Sequence, residues 1–282
     1  FRAAEIDKAG IEKIESRLVT TSGTCAVMGT ASTMACITET LGMALPGTAA
    51  IPAIHADRLR AAEASGAQAV HLAQIDRDKQ LIPKKIITPA SVENALRILL
   101  AVGGSTNAII HLTAIAGRLG IPIPLQQLNK LSDETPVLID LKPTGDHYME
   151  DLFKAGGLGV VLRELKPLLN LECLSVTGET LDERLQSEPA YVNREVVRSF
   201  DQPIQKMGGL VSLFGSLAPG GAILKRSAAD PTLFESEGKA VVFKSLEDLA
   251  NRIDDPNLEV EAHDILVLQN AGPMSDAAMP EA

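Results

Sequence analysis

The chain has no tryptophan, two tyrosines and six phenylalanines in 282 residues, so aromatics make up only 3%. A platform for single-stranded nucleic acid stacks bases on aromatic rings, and few rings are on offer here. Basic residues are also in the minority. The 26 Lys and Arg stand against 36 Asp and Glu, a net charge of −10. Phosphate backbones are gripped by a basic face, so the balance speaks against a nucleic-acid partner. Cysteine is scarce: Cys25, Cys36 and Cys173 are too few and too scattered for a disulfide framework. A reducing cytoplasm is the simplest setting. No apolar run approaches the ~20 residues that span a bilayer, so no membrane partner is expected. The opening stretch FRAAEIDKAG is charged and lacks the apolar segment of a secretory signal.

What is present describes a folded chain. It is 45% hydrophobic and 22% charged, too apolar for general disorder. The length allows one large domain or two around a sizeable core. The chain opens on Phe1 and stops at Glu281-Ala282 with no closing element in view, which suggests an interior piece of a longer protein.

Residues 3–18 read as a helix rich in charge pairs. TTSGTCAVMGTAST (20–33) is small and polar, the composition of a loop that wraps something. Met34 to Met43 reads as a buried helix, capped by Thr30 or Ser32 and ended by Gly42 and Pro46. A loop from Pro46 leads into an Ala-rich helix. Residues 91–101 are helical, Gly103-Gly104 turns the chain, and Asn107 to Leu119 forms a further helix closed by Gly120 and Pro122. Residues 137–157 read as a short strand, a turn and a helix. From Asp201 the composition shifts. The runs 208–225, 239–245 and 263–273 are short, apolar and punctuated by Gly, Pro and Asp, a β signature interrupted by one helix near 246–252. The expected class is α/β: a layered α/β domain over residues 1–200, then a mostly β, barrel-like domain over 201–282.

Several residues can carry chemistry. Cys25 lies just before Gly29 and a helix start, where backbone amides favour a thiolate and glycines let a bulky ligand approach. It reads equally as a cluster ligand or nucleophile and as an inert buried thiol. Cys36 falls eleven residues on, within an apolar helix, and Cys173 follows Leu171-Glu172; both read as core filler, and their spacing fits no CxxC pattern. Gly103-Gly104-Ser105-Thr106-Asn107 precedes an apolar helix and offers hydroxyls and amides to an anion, or simply an N-cap on a tight turn. His111, four residues after Asn107, reads as a satisfied core residue. No HExxH, Gly-x-Ser-x-Gly or P-loop pattern appears. Glu281 follows a Gly/Pro loop; it reads as an exposed terminal side chain, or as an oxygen ligand for Mg²⁺.

Taken together, several segments resemble the dihydroxy-acid and sugar-acid dehydratase family. They are Thr24-Cys25, Met28-Gly29-Thr30-Ala31-Ser32-Thr33-Met34, Leu41-Gly42-Met43, Gly103 to Ala108, Asp140 to Gly145, Met149 to Leu152, Gly208-Gly209-Leu210, Gly272-Pro273 and Met279-Pro280-Glu281. They follow the family's order and cover the middle of such an enzyme. The resemblance implies removal of water from a 2,3-dihydroxy acid to give a 2-keto acid, with an iron–sulfur cluster of the [2Fe-2S] kind and Mg²⁺. It makes Cys25 a cluster ligand and Glu281 a Mg²⁺ ligand. Thr24, Ser105, Thr106 and Asn107 become expected substrate-lining residues. The remaining ligands would precede Phe1 and the base serine would follow Ala282. The stretch from Cys25 to Met34 is similar to enzymes acting on pentonates, which implies a small sugar-acid substrate. The branched-chain biosynthetic enzyme is the alternative within the class, and a non-catalytic paralogue is the alternative outside it. Met274-Ser275-Asp276-Ala277-Ala278 departs from the Gly-rich stretch usual there. The implied assembly is a homodimer or homotetramer, with the active site between domains near a subunit interface.

Overall fold

The computed structural model describes residues 5–18, 25–76, 80–187 and 191–271. Helices α1 (Lys8–Leu18), α2 (Thr30–Thr40), α3 (Ala56–Gln74), α4 (Pro83–Ile86), α5 (Pro89–Ala101), α6 (Asn107–Gly117) and α7 (Leu125–Glu134) come first. Helices α8 (Met149–Lys154), α9 (Gly157–Glu164) and α10 (Leu181–Ser187) follow, then strands β1 (Val211–Leu213) and β2 (Ala222–Leu224). The described chain ends with β3 (Ala240–Phe243), α11 (Leu246–Arg252) and β4 (Ile265–Leu268). The class is mixed α and β. Among the described residues the strands make two separate two-stranded ladders and no closed barrel. No described helix is long and apolar enough to cross a membrane.

Two compact units divide the chain. The larger is Thr21–Ala229, and the smaller joins Phe1–Thr20 to Asp230–Ala282. In the larger unit, α2 and α5 carry the core. Ten of the thirteen residues of α5 are buried, because its apolar positions run all the way round rather than along one stripe. Thr88 and Ser91 cap its start reciprocally, which holds two otherwise unpaired amides. One side of α5, Ile98 and Ala101, packs with Met28, Cys36, Leu138 and the α9 residues Val160 to Leu162. The other side, Val92, Ala95, Leu96 and Leu99, packs with Ile37 and Leu41 of α2 and Leu112 of α6. Buried polar groups on these helices are satisfied. Arg97 reaches Glu93, Glu134 and Thr135. Glu39, 1% exposed, accepts from the amides of Gly47 at 2.9 Å and Ala49 at 2.7 Å and from the Arg184 guanidinium.

In the smaller unit, β3 and β4 are parallel, with Val241 opposite Leu266. Parallel neighbours need a crossover, and α11 supplies it. Phe243 is fully buried, with the Arg252 guanidinium over its ring at 4.9 Å.

Four sequence expectations shift. Helix α1 begins at Lys8 rather than residue 3, because the Asp7 carboxylate accepts the Gly10 amide and sets the cap. Helix α2 begins at Thr30, four residues before Met34, and its cap is Gly29 without a side-chain bond, not Thr30 or Ser32. The 137–141 run forms no ladder; Val137 and Ile139 make single bridges to Gln205 and Val197. His111 is exposed, not a core residue, because it falls on the outward face of α6 while Ala108, Ile109, Leu112 and Ala116 point inward. At the other end of α2, Gly42 takes φ +81°, and a Cβ there would stand 2.4 Å from the Leu174 carbonyl oxygen. Only glycine fits that turn.

Candidate active site

Residues 25–29 run from the first described cysteine to the start of α2, and a loop clasps them through the main chain. The Met28 amide donates to the Lys142 carbonyl, and the Met149 amide donates to the Ala26 carbonyl, both at 2.8 Å. Ser32 Oγ then donates back to the Cys25 carbonyl at 3.1 Å. The Cys25 side chain is exposed. A Cβ on Gly29 would stand 3.4 Å from Cys25 Sγ, so the sulfur lies against the first turn of α2. Because Gly29 brings no side-chain acceptor, the leading amides of α2 keep their positive end toward that region.

Thr30, the first residue of α2, is the centre of a hydroxyl and amide network. Its Oγ1 lies 2.9 Å from Ser105 Oγ, and Asn107 Nδ2 donates to it at 3.2 Å. The Asn107 amide donates to Ser105 Oγ at 3.3 Å, and the Ser105 amide donates to Thr33 Oγ1 at 3.1 Å. The start of α2 is thereby tied to the start of α6. Gly104 makes the approach possible, since a Cβ there would stand 2.7 Å from both Thr33 Cγ2 and Leu99 Cδ1.

The expected site residues separate as follows. Cys25, Ser105 and Asn107 come to the adjoining starts of α2 and α6. Thr106 is the residue before α6 and makes no side-chain cap bond. Thr24 and Glu281 lie outside the described residues. Cys36 is fully buried, and burial, followed by the nearby Glu39, pushes its thiol up to about 12. Cys173 is half-buried; desolvation raises its pKa, and Asn94 Nδ2 lies 3.6 Å from its sulfur. Thr30 entered the sequence reading only as a possible cap. A hydroxyl at the helix start, five residues after the cysteine, was the available signal; its partners lie 75 and 77 residues away. A cavity of about 1070 Å³ in this unit is lined by Asp140, Thr144, Arg194, Arg198 and Ser227 among others, and none of the network residues borders it.

Among the described residues no group of three or more His, Cys, Asp and Glu converges as a metal site. The structure does fit one thiolate ligand of a cluster: an exposed sulfur with a glycine, not a side chain, beside it. Cys36 is no such candidate, since it is fully buried and packed among Met28, Ile98 and Ala101 of the core.

Two family models cover most of the chain. The model described as dihydroxy-acid/6-phosphogluconate dehydratase N-terminal matches residues 1–184, and its C-terminal counterpart matches 195–282. A 6-deoxy-6-sulfo-D-gluconate dehydratase of Pseudomonas putida is 41% identical over 99% of this chain and 48% of its own length. A dihydroxy-acid dehydratase of Caldanaerobacter subterraneus subsp. tengcongensis is 39% identical over 100% of this chain and 50% of its own. An L-arabonate dehydratase of Azospirillum brasilense is 44% identical over 88% of this chain and 42% of its own. The chain thus spans about half the length of the curated relatives it matches. With both halves of the sequence matched, the chain belongs to the dihydroxy-acid/6-phosphogluconate dehydratase family.

Proposed function

We propose that the full-length protein carrying this chain is a hydro-lyase that dehydrates a sugar acid to a 2-keto-3-deoxy acid. The observation that carries the reading is the exposed Cys25 thiol lying against the start of α2, with the Thr30, Ser105 and Asn107 network at that same helix end. The reaction is an elimination. A proton leaves C2, hydroxide leaves C3, and the resulting enol tautomerises to the keto acid, so no external oxidant or reductant enters. When bound, an iron–sulfur cluster supplies Lewis acidity for a poor leaving group, and Mg²⁺ supplies charge that steadies the carboxylate. Cys25 would hold one iron through its thiolate, and Glu281 would bind the Mg²⁺. Ser105 and Asn107 present polar groups to the substrate, and Thr24 and Thr106 flank them. We place the enzyme in the cytoplasm as a homodimer or homotetramer, with the β-rich part completing a barrel.

The sugar-acid reading draws on the stretch from Cys25 to Met34 and on the similarity to L-arabonate dehydratase. The relatives named dihydroxy-acid dehydratase favour a second reading, the branched-chain 2,3-dihydroxy acid. Anaerobically purified full-length protein should contain iron and sulfide and form keto acid faster from arabinonate or xylonate than from 2,3-dihydroxyisovalerate. Equal or reversed rates would move the assignment to the second reading. An intact protein without iron and without turnover would leave only a non-catalytic role.

A further inference from the structure

We infer that the cavity between the 137–146 and 194–205 segments is a binding site for a small polyhydroxy monocarboxylate. Arg198 holds the carboxylate, and Ser227, Asp146 and Asp201 meet the hydroxyls. Such a site goes beyond the proposed reaction, since it depends on this cavity and not on Cys25 or the start of α2.

The cavity measures about 1070 Å³ and lies wholly within the larger unit. Small ligands take pockets of about 300–1,000 Å³, so an acid of about five or six carbons enters with water beside it. The two segments are joined through the main chain: the Asp140 amide donates to the Val196 carbonyl at 2.9 Å, and the Arg198 amide donates to the Leu138 carbonyl at 2.8 Å. The Arg198 backbone is therefore fixed. Its side chain is exposed and has no anionic partner among the described residues. Arg194, the other guanidinium of the lining, is already held by Glu164 at 2.7 Å. Asp140 is engaged by the Asp146 amide at 2.7 Å. The carboxylates of Asp146 and Asp201 have no partner among the described residues.

Ser227 supplies an independent sign of a missing partner. Its amide donates to the Gly209 carbonyl at 3.1 Å, yet its Oγ is buried with no hydrogen-bond partner among the described residues. A Cβ on Gly103 would stand 3.4 Å from that oxygen and 3.9 Å from Thr144 Oγ1. Glycine thus leaves space beside two hydroxyl-bearing residues of the lining. A buried hydroxyl left unpaired is costly, and a ligand hydroxyl at Ser227 removes that cost.

The unpaired groups select the ligand. Among the described residues no three metal-ligating side chains converge, which speaks against a cation. A multiply charged phosphate would be repelled by Asp146 and Asp201. An apolar molecule would strand Arg198 and Ser227 away from water. A single carboxylate pairs with one guanidinium through two parallel bonds, and hydroxyls donate to the two free carboxylates. Pro143, Pro203 and Ile204 add apolar surface for the carbon chain.

The test uses the full-length protein with 2-deoxy-D-gluconate, which lacks the C2 hydroxyl and so cannot lose water to give a 2-keto acid. Calorimetric titration should show it binding at least tenfold more tightly than hexanoate, which lacks hydroxyls, or 2-deoxy-D-glucitol, which lacks the carboxylate. Affinity should fall about tenfold in Arg198→Gln and about fivefold in Ser227→Ala, the worth of a charged and of a neutral hydrogen bond. Arg118→Gln, at an exposed arginine after α6, should leave it unchanged. Ser227→Ala should not lower the melting temperature of the ligand-free protein, because the deleted hydroxyl is unpaired; a purely structural hydroxyl would lower it. Phenylglyoxal followed by peptide mass analysis should modify Arg198, and the probe should protect it. Absence of binding, parent affinity in Arg198→Gln and Ser227→Ala, or an Arg198 that the probe does not protect overturns the inference. If Arg198→Gln fails to fold, Arg198→Lys takes its place, and undiminished affinity there is equally fatal. Failure of the proposed function reads differently: arabinonate and xylonate are not turned over, while the probe still binds in an Arg198-dependent way.

Discussion

Replacing Arg184 by leucine gives the sharpest stability test of the scaffold under the site. Glu39 sits on α2, 1% exposed, and the Arg184 side chain that meets it is 6% exposed. The Gly47 and Ala49 amides remain on the carboxylate in the variant, so two of its contacts survive. What disappears is the countercharge, and a buried carboxylate without one is poorly solvated. Breaking a desolvated pair by removing one partner costs about 3–5 kcal/mol. The two surviving amide bonds argue for the lower half of that range. At roughly 2–4 °C per kcal/mol for a unit of this size, the melting temperature should fall by about 10 °C. Calorimetry or near-ultraviolet circular dichroism on the full-length protein reads the shift. The double variant Glu39→Gln with Arg184→Leu is the control. It removes both charges and keeps one side-chain acceptor for the amides, so it should cost less than Arg184→Leu alone. A drop below about 3 °C for Arg184→Leu, or a double variant that loses as much as the single one or more, refutes the reasoning, because the lone buried carboxylate would then not be the source of the loss.

Gly104→Ala should destabilise by about 1–3 kcal/mol through overpacking, since the new methyl would stand 2.7 Å from Thr33 Cγ2 and Leu99 Cδ1; a neutral melting temperature counts against the tight α2–α6 approach. Iodoacetamide at pH 8, followed by peptide mass analysis of metal-free protein, should label Cys25 first, Cys173 slowly and Cys36 only after unfolding; native-state labelling of Cys36 contradicts its burial. The folded Cys36 thiol is raised to about 12 from an ordinary value of 9.0. Its contribution is therefore complete below pH 9 and is lost as pH rises toward 12, because the unfolded thiol ionises first. Cys36→Ala should flatten that alkaline decline, and an unchanged slope would assign it to other groups.

Local pattern carried much of the fold. The apolar runs from Asp201 onward correspond to β1, β2, β3 and β4, and the helix near 246–252 is α11. The stretch 91–101 is helical, with α5 starting two residues earlier at Pro89, and the 107–119 run forms α6, which ends at Gly117, two residues short of Leu119. What escaped the sequence was non-local. The VLIDL run has strand composition, yet its partners, Gln205 and Val197, lie about sixty residues on and take up single bridges. Thr30 to Thr33 are small and polar and look like loop. They are helical because Ser32 and Thr33 are buried and bonded to Cys25 and the 105 loop, an effect of tertiary context that no propensity contains. At the candidate site, type and motif singled out Cys25, Ser105 and Asn107, which the fold brings to the adjoining starts of α2 and α6. The bridging role of Thr30 was not, because its partners are brought in by the packing of α6 on α2.

The two main-chain bonds that hold residues 26 and 28 to the 142–149 loop have a consequence for how such a site can diversify. Grip through peptide groups is blind to side-chain identity. Positions 26 and 27 can exchange one residue for another without dislodging the sulfur beside them, so a lineage can vary those side chains while inheriting the placement of Cys25 unaltered.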